Sequence, residues 1–509
     1  MDIQEIYLAK PDWGIPFERP TASAGGLTLR TMPPPDDLIV SLHQNIGVAA
    51  AALVKPGDWV LKGEPIGAVP HGSLGARVHA PTSGQVIALA PHPVPGHDTA
   101  LCVHIRSDHE DRSWPGYAPL IDPLAKSALE LQAAVAEAGI VGLGGAQFPT
   151  GNKLDPEAGI RLLILNGVEC EPRINCDDAL IRYRAEEILA GAQSMLHILA
   201  ADDCIIALKS DTLKAIAQIR AALEKLGDKR FRLALVPPVY PAGGEAQLVQ
   251  LLTGQEVPAN GLPRDVGTVC QNVATAAAIA RFFTTGEPLI SRIVTVTGSG
   301  ISAPVDIEAR IGTPLHKLIQ FAGGYTSDNT QLVMGGPMMG VALANDSLPV
   351  TKASNCIYVQ AIEQTQPVPV EMPCIRCTDC ATVCPVALTP QLMLQAQRTD
   401  DFDTLQHLGL SDCIECGCCD YVCPSYIPLT SKFTHAKKTL HNMAFESERA
   451  IKAEARYNAR NERLKEQAAL RKRELDAQIE TIERTPADNK DALRRLLNRV
   501  NNSDRENSE

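Results

Sequence analysis

Cys374-Ile-Arg-Cys377-Thr-Asp-Cys380-Ala-Thr-Val-Cys384-Pro385 is followed, after a spacer, by Cys413-Ile-Glu-Cys416-Gly-Cys-Cys419-Asp-Tyr-Val-Cys423-Pro424. Each half reads C-x2-C-x2-C-x3-C-P, the spacing of a 4Fe–4S ligand run. The short gaps let three thiolates of one loop reach three irons of one cube. The fourth Cys begins a helix that points away and so reaches the other cube. One cluster is therefore expected on Cys374, Cys377, Cys380 and Cys423, and the other on Cys413, Cys416, Cys419 and Cys384. Cys418 is an extra thiol in the second loop, where the spacing favours Cys419. Pro385 and Pro424 bring no N–H that would need a partner. Zinc also binds C-x2-C pairs. It often takes them as two separated pairs, whereas here four ligands crowd into each short run, twice. Two clusters imply that single electrons pass through the protein.

The chain has 509 residues, enough for three or four domains. No apolar run approaches the roughly 18 residues of a membrane span, and no export signal opens the sequence. These features predict a soluble or peripheral protein. Of fifteen Cys, six lie outside the paired runs. Cys102, Cys170, Cys176, Cys204, Cys270 and Cys356 form no disulfide framework, and reduced thiols point to the cytoplasm. A net charge of −12 argues against nucleic acid as a partner.

The fold class expected is multidomain α/β. Residues 1–40, rich in Pro, Gly and Thr, read as an extended arm that packs on something else. Residues 41–110 have an all-β texture of short strands and turns. The phrases Val54-Lys55-Pro56-Gly57-Asp58 and Ala80-Pro81-Thr82-Ser83-Gly84 resemble the biotinyl/lipoyl barrel-sandwich hybrid. A carrier domain needs a Lys at its hairpin tip. Val78-His79-Ala80-Pro81-Thr82 has none, so a docking or scaffold module is expected. His71, His79, His92, His97, His104 and His109 read as surface or loop histidines.

From 123 to 288 helices and strands alternate, which predicts a parallel, doubly wound Rossmann-like sheet. Strands are expected at Arg161–Leu165, Cys204–Leu208 and Phe231–Val236. Helices are expected over Lys126–Ala138, with Leu129, Val135 and Ala138 inward, over Thr212–Leu226, and over Asp178–Leu199, capped by Asp177 or Asp178. Ligands in such sheets bind beyond the carboxyl ends of the strands. Four phrases fall there: Gly142-Leu-Gly144-Gly145-Ala-Gln-Phe148-Pro149-Thr150-Gly151-Asn-Lys153, Asn166-Gly-Val-Glu169-Cys-Glu171-Pro172, Tyr240-Pro-Ala-Gly243-Gly244-Glu245 and Gln271-Asn272-Val-Ala-Thr275. Glycines admit backbone N–H groups close to a phosphate and Lys153 adds charge. Each phrase alone also fits a structural turn or a helix start. Residues 289–350, with a short helix at Leu315–Phe321, suggest a β-grasp module. Residues 365–435 form the α-helical dicluster domain, of 2×4Fe–4S ferredoxin type. Residues 436–509 read as a charged helix, solvated or lying along a partner, and a disordered tail.

The four phrases, in that order, resemble the flavin- and NADH-binding subunit of respiratory complex I. The whole layout, from about 30 to 430, is more similar still to the RnfC family of the Rnf electron-transport complexes. The resemblance implies FMN in the Gly-rich crevice with NADH stacked over it. Gly142, Gly144, Gly145, Lys153, Asn166, Glu169, Gly243, Glu245, Asn272 and Thr275 would line FMN, while Phe148, Glu171 and Glu245 would face the nicotinamide nucleotide. It places a soluble-ligand-binding β-grasp fold between flavin and clusters, with Gly335–Gly340 near the flavin. Leu143, Val168 and Gly244 depart from the complex I pattern, which has Arg, an acidic residue and Glu there.

A flavin converts two-electron chemistry into one-electron steps, so it belongs between NADH and iron–sulfur clusters. The expected activity is NADH-dependent electron entry into an ion-translocating NAD:ferredoxin or flavodoxin oxidoreductase. The resemblance implies other Rnf subunits as partners, integral-membrane and ferredoxin-like ones among them, and a place on the cytoplasmic face of the bacterial inner membrane. A soluble NADH dehydrogenase or hydrogenase subunit, and a flavin-free electron wire, are the alternatives.

Overall fold

Three short runs of β-branched and aliphatic residues, Leu162–Gly167, Asp203–Lys209 and Phe231–Val236, are too short for helices and too continuously apolar for a half-wet sheet. They form the middle of a five-stranded, wholly parallel sheet in the order Glu5–Tyr7, Phe231–Val236, Asp203–Lys209, Leu162–Gly167, Thr268–Asn272. The structure, a computed structural model, describes residues 3–17, 26–362 and 370–484, with 491–492, 495–496 and 498–499 beyond them. The helices Cys176–Leu199 and Val273–Thr285 cross tightly beside this sheet. A Cβ at Gly191 would lie 1.9 Å from the Ala276 carbonyl oxygen, so only glycine permits that approach.

Two local expectations are corrected here. The long helix starts at Cys176 after Asn175, not on an aspartate cap. Its Asp177 N–H donates instead to Glu169 Oε1 at 3.0 Å, a cap supplied from the preceding loop. The helix Ala128–Glu137 is set by a Ser127–Glu130 capping box and turns Leu131 and Val135 inward, leaving Leu129 65% exposed.

The N-terminal residues do not stay together as one arm. Glu5–Tyr7 edges the parallel sheet, whereas Leu29–Thr31 edges a six-stranded sheet of Val341–Leu343, Thr330–Met334, Cys356–Ala361, Ser291–Thr297 and Val305–Arg310. The helix Leu315–Phe321 packs on that second sheet through Leu315, Leu318 and Ile319. A barrel-sandwich is built from Asp37–Ser41, His97–Ser107, Gly84–Val94 and Trp59–Val60, with a three-stranded sheet of Ala51–Ala52, Pro65–Ala68 and Val78–His79. The stretch expected at a hairpin tip is core instead: Val78, His79, Ala80 and Thr82 are all buried. His79 is thus no surface histidine. Its Nε2 lies 3.2 Å from the Tyr117 hydroxyl, and burial pulls its pKa down.

The Cys runs sit among short helices: Asp379–Thr382, Pro390–Arg398, Phe402–His407 and Cys418–Tyr421. The last helix, Leu429–Glu483, forms from His435 onward a compact unit of its own, almost wholly exposed, with an Lys452–Glu448 ion pair. No described helix is long and apolar enough to cross a membrane. The closing residues 501–509, expected to be disordered, lie outside the described residues.

Lys352 pins three of these parts. It is buried, and its Nζ donates to the carbonyls of Arg77 in the barrel and Gly139 in the parallel-sheet domain, both at 2.7 Å. Its own N–H donates to Gln44 Oε1 at 2.9 Å. Burial pulls the Lys352 pKa from 10.5 down to about 7. Between those values the unfolded chain binds the proton and the folded one does not, so the contribution of Lys352 to stability rises with pH. Urea denaturation from pH 7 to 10 should show that rise in the wild type and its loss in Lys352→Met.

Candidate cofactor sites

From Leu162–Gly167 the chain winds outward through Asp203–Lys209 and Phe231–Val236, then returns to Thr268–Asn272 on the other flank of the first strand. The strand order therefore reverses between Leu162–Gly167 and Thr268–Asn272, and ligand crevices form beyond the carboxyl ends at such a reversal. All four Gly- and Asn-bearing phrases converge there. A Cβ on Gly144 would lie 3.2 Å from Cβ of Asn272, so the loop passes close over the N-terminus of the helix Val273–Thr285. Gly145, at φ +120°, is exposed with open space where a Cβ would be. Leu143 N–H donates to Thr275 Oγ1 at 3.0 Å. Asn272 Oδ1 caps the helix through Ala274 N–H at 2.8 Å, while its amide donates to Asp177 Oδ2 at 2.6 Å. Backbone N–H groups at a helix N-terminus beside an open glycine turn suit a phosphate.

Asn166 ties the strand end to the next phrase: its amide donates to Gly243 C=O at 2.8 Å and its oxygen accepts from Val168 N–H at 2.9 Å. Lys153 and Glu245 form an ion pair at 2.6 Å. Gly142 N–H donates to Phe148 C=O at 2.8 Å, which closes the Gly-rich turn and leaves Phe148 half-buried. Glu169 accepts at Oε1 from Cys176 Sγ and Asp177 N–H. Its Oε2 is buried with no protein partner among the described residues. Burial raises the Glu169 pKa. Burial and the Glu169 charge push Asp177 up to about 7. Open glycines, a capped helix end and a stranded carboxylate oxygen fit the expected FMN.

Glu171 serves a loop instead of standing free. Its Oε1 accepts from Met338 N–H at 2.6 Å and Met339 N–H at 3.2 Å, and burial raises its pKa. A Cβ on Gly336 would strike its side chain at 2.2 Å. The glycine-framed turn Gly335–Gly340 thus closes over Glu171. Beside it a cavity of about 430 Å³ opens between the two sheets, lined by Cys170, Glu171, Lys209, Tyr240, Thr297 and Tyr358 among others.

The Cys runs fold into two cradles. One cavity is lined by Cys374, Cys377, Cys380 and Cys423, and the other by Cys384, Cys413, Cys416 and Cys419. Each cradle joins three thiols of one loop to the fourth of the other run, a donor set that fits a 4Fe–4S cube. Cys418 lines the second cavity too, but its Sγ lies 4.0 Å from the Tyr240 carbonyl oxygen. The two loops differ in exposure. Ile375 is 68% exposed and Cys377 is exposed, whereas Ile414 packs with Tyr240, Met338 and Cys418, and Cys416 is buried. Elsewhere, burial pushes the thiols of Cys102 and Cys170 up to about 11 and of Cys270 up to about 12, and raises Cys176, Cys204 and Cys356.

Sequence reading missed two residues. Arg292 is buried and donates to Leu143 C=O at 3.1 Å and Ser354 C=O at 3.3 Å, so the second sheet holds the Gly-rich loop from behind. A lone Arg inside a β-branched strand was its only signal. Tyr240 stood in a quoted phrase without a role, yet its hydroxyl donates to Cys416 C=O at 2.6 Å.

Four stretches match known families. These are the RnfC barrel sandwich hybrid domain over residues 14–110, the Nuo51 FMN-binding domain over 135–281, the SLBB domain over 293–342 and the 4Fe-4S dicluster domain over 367–424. The C subunit of the ion-translocating oxidoreductase complex of Pseudomonas aeruginosa is 42% identical over 454 residues, covering 88% of this chain and 57% of that protein. Its Serratia proteamaculans counterpart is 40% identical over 495 residues, covering 96% of this chain and 69% of that one. For Yersinia pestis the figures are 38% over 480 residues, 94% and 76%. The chain thus spans little more than half of the Pseudomonas relative.

The cradle pairing has a direct check. Cys423→Ala should abolish the same EPR signal of the reduced protein as Cys374→Ala, and Cys384→Ala the same signal as Cys413→Ala, each with loss of about half the iron. Glu171→Ala should speed amide hydrogen exchange at Met338 and Met339 by at least about tenfold, since a hydrogen bond to a charged group contributes ~1.5–3 kcal/mol.

Proposed function

The chain belongs to the RnfC family, the C subunits of ion-translocating oxidoreductase complexes, and on that premise we propose that it is the NADH-binding electron-entry subunit of such a complex. One observation carries this reading: the second Cys loop, buried at Cys416, Gly417 and Cys418, packs against Tyr240 and Met338, whose segments border the Gly-rich crevice and Glu171. Bound in that crevice, FMN would take two electrons from NADH and release them singly.

In this reading the chain's residues bind and orient; none acts as acid or base. Gly144, Gly145 and the N-terminus of Val273–Thr285 hold the FMN phosphate, with Asn272 and Thr275 fixing that helix end against the loop. Asn166, Glu169 and Gly243 hold the ring side, with Lys153 paired to Glu245 across the crevice. Phe148, Glu171 and Glu245 face the nicotinamide nucleotide. Two 4Fe–4S clusters take the eight cradle cysteines. The second Cys loop, whose Cys416, Gly417 and Cys418 are buried beside Tyr240, would hold the cluster that takes electrons first. Cys374, Cys377, Cys380 and Cys423 would hold the cluster that hands electrons on, with Ile375 exposed on that loop for a partner to cover. The recipients are other subunits of the complex, integral-membrane and ferredoxin-like, and beyond them ferredoxin or flavodoxin. The protein lies on the cytoplasmic face of the inner membrane.

Isolated, iron-replete protein should carry one FMN, and NADH should bleach both flavin and cluster absorption. Ile375→Asp should preserve that bleaching while slowing electron delivery to membranes holding the remaining subunits. A colourless flavin site, with clusters that NADH leaves oxidised, would refute the reading.

A further inference from the structure

Tyr240 follows the strand Phe231–Val236 and is buried. Its backbone exchanges hydrogen bonds with Ile15, at 2.9 and 2.8 Å. Its ring lies 5.9 Å from Phe17, which in turn packs edge-on to Tyr421 beyond the second Cys loop. The side chain is therefore held from both sides, and its hydroxyl ends on the carbonyl oxygen of Cys416. Gly417 lines the second cradle, and Met338 touches it, with the Met338 carbonyl oxygen 3.4 Å from the position of a Cβ there. Tyr240 does not line that cradle. A trans peptide points its C=O and N–H in opposite directions. With the Cys416 oxygen fixed on Tyr240, the Gly417 N–H turns away from Tyr240, and Gly417 itself lines the cradle. A carbonyl that accepts a hydrogen bond also polarises its own N–H.

The first loop provides an internal contrast. At the matching peptide, the Cys377 carbonyl accepts from the hydroxyl of its neighbour Thr378, on an exposed turn. Only the second loop takes this bond from a distant part of the fold.

We propose that Tyr240 is a positioning residue that raises the reduction potential of the cluster held by the Cys413–Cys419 loop, by fixing the Cys416–Gly417 peptide with its positive end toward that cluster. Reduction adds negative charge to the cube, and hydrogen bonds and dipoles around the sulfurs set such potentials. The effect makes the crevice-side cluster an easier acceptor than it would be without the Tyr240 hydroxyl. This inference rests on the reading that the second loop holds a 4Fe–4S cluster.

The test is an EPR-monitored redox titration of the full chain, with iron counted in each preparation. Tyr240→Phe removes only the hydroxyl. It should lower the potential of one cluster, with about a tenfold change in its reduction equilibrium, or ~59 mV for a one-electron couple. The other cluster, assigned to the Cys374 loop by Cys374→Ala, should not move. Replacing Tyr240 with 3,5-difluorotyrosine, a stronger donor of nearly the same shape, should shift the same cluster upward. Unchanged potentials at full iron content would overturn the proposal, as would equal shifts of both clusters. If Tyr240→Phe loses iron, the fluorinated protein decides: an upward shift of one cluster supports the proposal, and no shift overturns it. A wild-type protein without a cluster on the second loop would instead defeat the underlying reading.

Discussion

Asp306 accepts a hydrogen bond from Thr295 Oγ1 at 2.7 Å and another from the Asn175 amide at 2.8 Å, deep between the two sheets. Thr295 Oγ1 in turn accepts from Asn175 N–H at 3.0 Å. This buried knot joins the start of the long helix to the strand pair of the β-grasp sheet. Arg292, on the same strand as Thr295, reaches Leu143. The Gly-rich turn and the start of the long helix Cys176–Leu199 are therefore braced by one small module. Satisfied polar groups of this kind are strong inside a protein, and leaving one unpaired is costly.

The brace also explains the position of the β-grasp module in the chain. It follows the crevice-forming domain and precedes the Cys runs, and its Gly335–Gly340 turn covers Glu171 while Met338 touches the second Cys loop. One module thus contacts the crevice from behind and the cradle from the front.

Much of this was legible because it is local. Phe231–Val236 and Leu315–Phe321 appear with the bounds their apolar patterns implied. The Cys spacing groups the same eight thiols that line the two cavities, though Cys418 lines the second as well. The misreadings share one cause: the deciding partner lies far along the chain. His79 reads as polar and exposed until Tyr117 arrives from 38 residues away. Lys352 belongs to no motif in the sequence, and its acceptors lie 275 and 213 residues upstream. Tyr240 meets Cys416 across 176 residues. The aspartate cap failed for a subtler reason, because Glu169 from the neighbouring loop reached the helix start first.

The six cysteines outside the paired runs bear on how the protein is made. Iron donors and oxidants must reach a sulfur before they can react with it. Cys102, Cys176, Cys204, Cys270 and Cys356 are buried, and Cys170 is partly covered with its proton held tightly. A nascent chain that has already folded its sheets offers a metallochaperone few sulfurs besides those of the two cradles. The sulfurs that a folded chain presents are therefore mainly those of the paired runs, Cys374, Cys377, Cys384, Cys413, Cys419 and Cys423.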